Sequence, residues 1–297
     1  MAGFEESKKI CEYFRMRHMS KITWHDMICL LQEDPVWPQA QKYLIKDEKA
    51  NGIDLPRLWC ILDQGWFELQ KTSKYSPYSE AFLGEYYNHP VWMINAAFSE
   101  SDQDTISDRQ AAIRLIEHVA PERILDFGGG IGSAARLCAD RFSAAKNIDV
   151  LDISPFYETT RRHLSKFKNI RVLAKAQPPY DAVLCTEVLE HVSNPISLLV
   201  DLNKMLRIGG ALSVSYSFAP GIACHIPKHF HLQPIMIWVI RCLGFGFYGF
   251  ERRGSTVYGF VKNSEISSAT LKKAKLLAKL ACLPFPMSRL LFAIKGL

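Results

Sequence analysis

Apolar residues along this chain fall into two regimes that meet near residue 105. Before it they recur at helical spacing. Ile10, Tyr13 and Phe14 share a face, and 24–31 is a second amphipathic run, broken by Asp34-Pro35 and Trp37-Pro38. Further helices are expected over 39–50 and 55–70, with Trp24, Trp37, Trp59 and Trp66 as the core of a helical cap. After residue 105, short apolar runs of strand length alternate with helical segments. The strands are expected at 123–127, up to Asp152, 169–175, 180–186, 211–218, 245–254 and 255–263. This alternation predicts an α/β fold with a parallel sheet between layers of helices.

Caps set the helix boundaries. Ser107 and Gln110 have capping-box spacing, Ile113 and Ile116 share a face, and Pro121 stops that helix. Ser154-Pro155 and Asn194-Pro195 each read as N-cap and first helical residue. The helix from Asn194 is expected to run to Arg207 and end at Gly209-Gly210. The chain therefore divides into a helical cap over 1–104, a sheet domain over 105–263 and a tail over 264–297.

The stretch 123–136, RILDFGGGIGSAAR, is the densest chemical signal. A buried strand ends in a carboxylate, glycines turn tightly, and a helix begins whose free N–H groups suit an anionic group. The dinucleotide fingerprint G-x-G-x-x-G would need glycine at 133, where this chain has Ser133. A nicotinamide-dependent oxidoreductase is the competing enzyme class.

Asp126, Gly128, Gly130 and Gly132 resemble motif I of the class I S-adenosylmethionine-dependent methyltransferases. Three later landmarks follow in that family's order: VLDIS over 150–154, YDAVLCTEVLEHVSNP over 180–195 and LNKMLRIGGALSVSYS over 202–217. The resemblance implies a three-layer Rossmann-like methyltransferase sheet, mostly parallel with one antiparallel strand, binding S-adenosylmethionine. It implies that Asp152, with Ile153 beside it, meets the ribose, since a doubly wound fold presents an acid about 20 residues past the glycine loop. Thr186 and Glu187 would border the methionine and methyl end. Many members have an Asp after the third strand for the adenine; here Gln177 is the candidate. Glu190-His191 resembles the family's loop scaffolding more than a catalyst.

Acceptor chemistry is expected after the fifth strand, where His225, His229 and His231 lie within seven residues. One imidazole near neutrality suffices as a general base, and His229 is the first candidate. The cysteines and histidines form no ligand set of metal spacing, so no metal is expected. The tyrosine-rich stretch 71–92 is read as an acceptor-binding segment or a packed linker. Methylation of a small-molecule oxygen is the expected reaction; a non-catalytic protein that keeps the fold is the other alternative.

Composition changes little. The net charge of +6 sits in the tail, where 261–297 holds seven Lys/Arg against one Glu. With no recognised nucleic-acid module, nucleic acid is not expected as partner. Basic amphipathic segments mostly pack on their own domain, peripheral membrane contact being the minority reading. Eight scattered cysteines and an N-terminus without an apolar signal core point to the cytoplasm.

Overall fold

The computed structural model describes residues 22–153, 157–251 and 256–282. The expected helix around Ile10, the Ser154-Pro155 cap, the junction of the expected strands 245–254 and 255–263, and the tail beyond 282 lie outside these residues.

Helices α1 (Trp24–Leu31), α2 (Trp37–Ala40), α3 (Lys46–Asn51), α4 (Leu55–Thr72), α5 (Glu80–Tyr87) and α6 (Val91–Ser101) form the N-terminal layer. Thr23 caps α1 in a reciprocal box with Asp26, and Asp54 and Ser79 cap α4 and α5. Trp24, Trp37 and Trp66 are buried in this layer as expected, but Trp59 is 40% exposed. On α4 the buried face carries Leu58, Ile61, Leu62, Gly65 and Trp66, and Trp59 stands beyond its edge.

The next helix, α7 (Gln103–Arg114), is capped by Asp102, whose carboxylate takes the Thr105 amide at 2.8 Å. The expected start at Ser107 is therefore five residues late. An acid at N-cap satisfies the same orphan donors as a serine, and Ser107 instead donates back to the Gln103 carbonyl.

The remaining elements are β1 (Arg123–Phe127), α8 (Ser133–Arg141), β2 (Asn147–Leu151), α9 (Tyr157–Leu164), β3 (Ile170–Leu173), β4 (Tyr180–Thr186), α10 (Pro195–Met205) and β5 (Leu206–Ser215). Then come α11 (Met236–Cys242), β6 (Phe245–Phe250), β7 (Val257–Lys262) and α12 (Ser268–Ala281). The sheet order is β3-β2-β1-β4-β5-β7-β6, and only β7 runs against its neighbours. Alternate residues feed opposite faces: Ile124 packs with α7 and α8, Leu125 with α10 and α11. The expected three-layer architecture is the one observed.

The fifth strand starts earlier than its glycines suggest. It pairs from Leu206 with Tyr180, and Gly209 at φ +76° absorbs a register shift before Ala211 pairs with Ala182. Gly209-Gly210 thus form an irregularity within a strand, not a helix stop.

Strand order reverses between β1 and β4, each flanked on its other side by strands that run outward in sequence. In an open α/β sheet the ligand crevice lies outside the C-terminal ends of such a pair. The glycine turn follows β1 and Glu187 follows β4, so both lie at this crevice.

Candidate functional site

The glycine turn is held from below. Asp126, 1% exposed, accepts the Ala135 amide of α8 through Oδ2 at 3.1 Å. It ties strand to helix beneath the turn, with Gly129 directly against it: a Cβ on Gly129 would come within 2.7 Å of Asp126 Oδ2. Burial raises the Asp126 carboxyl to about 7. Gly128, Gly130 and Gly132 all have positive φ. A Cβ on Gly128 would lie 2.4 Å from Val188 Cγ2. At Gly130, by contrast, a Cβ would meet nothing within 4 Å, so this glycine faces open space. There its amide donates to Asp152 Oδ2 at 2.7 Å, and Ile153 beside it is 65% exposed.

The other wall is the turn after β4. Thr186 ends the strand, and Glu187 adopts φ +54° with its amide held by Ser215 Oγ and the Ser215 carbonyl, both at 3.1 Å. Positive φ on a glutamate is strained backbone that the β4–β5 pairing holds in place. Val188 then packs on Gly128, and a 3-10 turn (Leu189–His191) follows.

Residues 102–241 match the family described as "Methyltransferase domain". This stretch of the chain is a methyltransferase domain. Among its relatives is the demethylmenaquinone methyltransferase of Tropheryma whipplei, 34% identical over 113 residues. That match covers 36% of this chain and 46% of the relative, so the chain spans under half of that protein. The ubiquinone biosynthesis O-methyltransferase of Burkholderia vietnamiensis is 25% identical over 193 residues, covering 62% of this chain and 81% of that one. A tRNA 5-carboxymethoxyuridine methyltransferase of Escherichia coli is 29% identical over 126 residues, covering 38% and 47%.

The cofactor of this methyltransferase family is S-adenosylmethionine, and the residues present fit it. Gly130 faces open space with its amide on the Asp152 carboxylate, Ile153 beside it is exposed, and the Glu187 turn follows β4 next to β1. Gln177 does not join them. Its carbonyl accepts Arg123 Nη2 and its amide donates to Tyr180 Oη, which fixes it beside the first residues of β1 and β4. The glycines follow the last residue of β1, four residues and roughly 13 Å further on. Sequence order placed Gln177 after β3, but no helix separates β3 from β4, and its backbone is bound by side chains from the first residues of β1 and β4.

The histidines separate into two groups. His225 is buried, and its Nδ1 meets the Ala219 carbonyl at 2.7 Å; a carbonyl only accepts, so Nδ1 carries the hydrogen and Nε2 a lone pair. Its ring packs against His191 with centroids 4.9 Å apart, and one ligand-type atom from each of Glu190, His191 and His225 lies within 4.8 Å of the others. Burial, then His225, lowers the His191 imidazole to about 3. Burial, then the Glu187 carboxylate, raises Glu190 well above the carboxylate range. His229 stands apart, its Nε2 donating to the Ser193 carbonyl at 3.1 Å while burial lowers its imidazole. His231 is half-buried in the 3-10 turn Pro227–Leu232, which carries His229 as well. Sequence reading treated Glu190 and His191 as scaffold; what sets them apart is their proximity to His225, 34 residues on from His191.

The N-terminal helices close over this group. Their core includes Ile131 of the glycine turn and Cys224 and Ile226 of the histidine loop. Asp63 of α4 accepts the Ala223 amide at 2.6 Å, and Tyr87 Oη donates to the His191 carbonyl at 3.4 Å. The tyrosines of 71–92 are largely structural: Tyr86 is buried with its hydroxyl on the Leu62 carbonyl, and Tyr87 and Trp92 rest edge-on to His191.

Proposed function

We propose that the protein transfers the methyl group of S-adenosylmethionine to an oxygen of a small-molecule acceptor. The observation that carries this reading is the packing of Val188 on Gly128. Glu187, Glu190 and His191 flank Val188 on the same turn, which supports an acceptor site beside the cofactor's methyl end. In the proposed arrangement Asp152 takes the ribose hydroxyls, Ile153 lies on the adenine, and Thr186 and Glu187 border the methionine end. Asp126 acts from beneath by fixing the turn.

The sulfonium already makes the methyl electrophilic. The acceptor oxygen forms the new C–O bond as the C–S pair withdraws onto sulfur, leaving S-adenosylhomocysteine, and the hydroxyl proton goes to a base. His229 suits that role: its Nε2 hydrogen is committed to Ser193, which leaves Nδ1 a lone pair, and burial keeps the ring neutral near pH 7. His225 and His231 are the alternative imidazoles. Alignment of acceptor and methyl under the helical layer supplies the rest, an effect of about 7–11 kcal/mol for well-oriented reactants.

A small molecule is favoured over nucleic acid because the chain's basic excess falls in the sequence of 261–297 and not in the strand and turn segments that carry the cofactor motifs. The names of the Burkholderia and Tropheryma relatives support a metabolite acceptor, and the tRNA relative names the competing class. Screening hydroxylated aromatic and sugar metabolites against a tRNA pool, with S-adenosylhomocysteine release as readout, tests this. Turnover with tRNA alone would overturn the acceptor class.

A further inference from the structure

We propose that Glu190, His191 and His225 hold a divalent transition-metal ion on the acceptor side of the crevice. The sequence gives no metal spacing, because the three ligands come from two loops, after β4 and after β5, that the pairing of those strands brings together. In the fold, one potential ligand atom from each lies within 4.8 Å of the other two. Bonds of about 2.0–2.2 Å put two ligand atoms up to roughly 4.2 Å apart, so modest side-chain rotation closes the set.

The hydrogen-bond inventory says which atoms are kept for a ligand. Glu190 spends Oε1 on the Ser217 amide at 3.0 Å, while Oε2 is fully buried with no partner. His225 spends Nδ1 on the Ala219 carbonyl, which directs the Nε2 lone pair elsewhere. His191 Nδ1 is likewise buried and unpartnered. Buried polar atoms are nearly always satisfied, and two unsatisfied ones, Glu190 Oε2 and His191 Nδ1, beside the His225 Nε2 lone pair ask for a common partner. The outer contacts resemble those that orient metal ligands, a backbone carbonyl holding the far nitrogen of an imidazole. The loops are also stitched: the Ile226 amide donates to the Glu190 carbonyl at 3.2 Å. A second carboxyl, Glu187, lies against Glu190 and adds negative charge where a cation would sit.

One carboxylate and two imidazoles suit Mn²⁺, Fe²⁺, Co²⁺ or Zn²⁺ better than Mg²⁺ or Ca²⁺, which favour all-oxygen shells. With three protein ligands the ion keeps open positions. Resting on the methyl-transfer reading, those positions bind the acceptor's hydroxyl oxygen. The ion then acts as a Lewis acid that eases loss of the proton to water or His229 before the C–O bond forms.

The test is titration of chelator-treated full-length protein with Mn²⁺, followed by loss of the free-ion electron paramagnetic resonance signal. One Mn²⁺ per chain is expected, displaced by Zn²⁺. Glu190→Gln and His225→Gln should each weaken it by about tenfold or more. S-adenosylhomocysteine affinity, measured on the same preparations, should stay within about twofold and so report an intact fold. Absence of saturable Mn²⁺ binding, or binding that both variants leave unchanged, overturns the site. Failure of Mn²⁺ alone leaves the methyl-transfer reading standing; loss of S-adenosylhomocysteine binding with Mn²⁺ still bound does the reverse.

Discussion

Asp152 Oδ2 accepts the Gly130 amide at 2.7 Å, joining the end of β2 to the glycine turn of β1 across the crevice. The same carboxylate is the proposed ribose ligand, so it both shapes the turn and meets the cofactor. Asp152→Ala should weaken S-adenosylmethionine binding by about tenfold or more, since a charged hydrogen bond contributes about 1.5–3 kcal/mol. Equilibrium dialysis measures this. An unchanged affinity would remove Asp152 from the binding site.

The packing of Val188 on Gly128 gives a second prediction. Gly128→Ala places a Cβ 2.4 Å from Val188 Cγ2 at φ +71°, where a side chain is strained in any case. The turn must shift, and cofactor affinity should fall steeply. Adding Val188→Ala should restore part of it by removing the clash while leaving the strain of about 1–2 kcal/mol. No recovery in the double variant would mean that the backbone conformation alone sets the cost.

Stability in acid should report a buried network beneath the cap. Glu100, fully buried, binds Arg136 at 2.8 Å and His163 at 2.8 Å. Burial pushes its carboxyl up, but the hydrogen bonds and charges of His163 and Arg136 outweigh this and hold it at about 2. A depressed carboxylate stabilises the fold fully above its unfolded value near 4.5, and that contribution is lost as pH falls through about 2. Glu100→Gln should cost about 3–5 kcal/mol at pH 7 by stranding a buried guanidinium. The loss should shrink below pH 4.5, as chemical denaturation at several pH values would reveal.

Much of this was legible in the sequence because local rules and tertiary needs agreed there. The strand, glycines and helix over 123–136 form as read, and Asp152 lies where a doubly wound fold presents its acid. The reading failed where one residue type serves two purposes. Gly209-Gly210 suits a helix stop as well as a strand irregularity, and only pairing with Tyr180 decides. Trp59 is as apolar as Trp66 but lies outside the buried stripe of α4. Gln177 follows β3 in sequence, yet its backbone is held by the Arg123 and Tyr180 side chains from the starts of β1 and β4. The Glu190–His191–His225 group escaped notice because the sheet, not the spacing, assembles it.

His229 gives a kinetic prediction. Burial lowers its imidazole below the ordinary value of 6.5, so a neutral base persists into mildly acidic solution. Turnover should fall off only below pH 6.5, as the ring becomes protonated. His229→Ala should lower turnover by about 10²-fold and flatten that acid limb, with S-adenosylhomocysteine affinity nearly unchanged. Full activity and an unaltered pH profile in this variant would place the base elsewhere.

The central claim is that the crevice between β1 and β4 takes S-adenosylmethionine and not a dinucleotide. Calorimetric titration of the full-length protein with S-adenosylhomocysteine and, in parallel, with NADH tests it most directly. Saturable one-to-one binding of S-adenosylhomocysteine, lost or much weakened in Asp152→Ala, and no heat from NADH is the predicted result. Tight binding of NADH with none of S-adenosylhomocysteine would contradict the account.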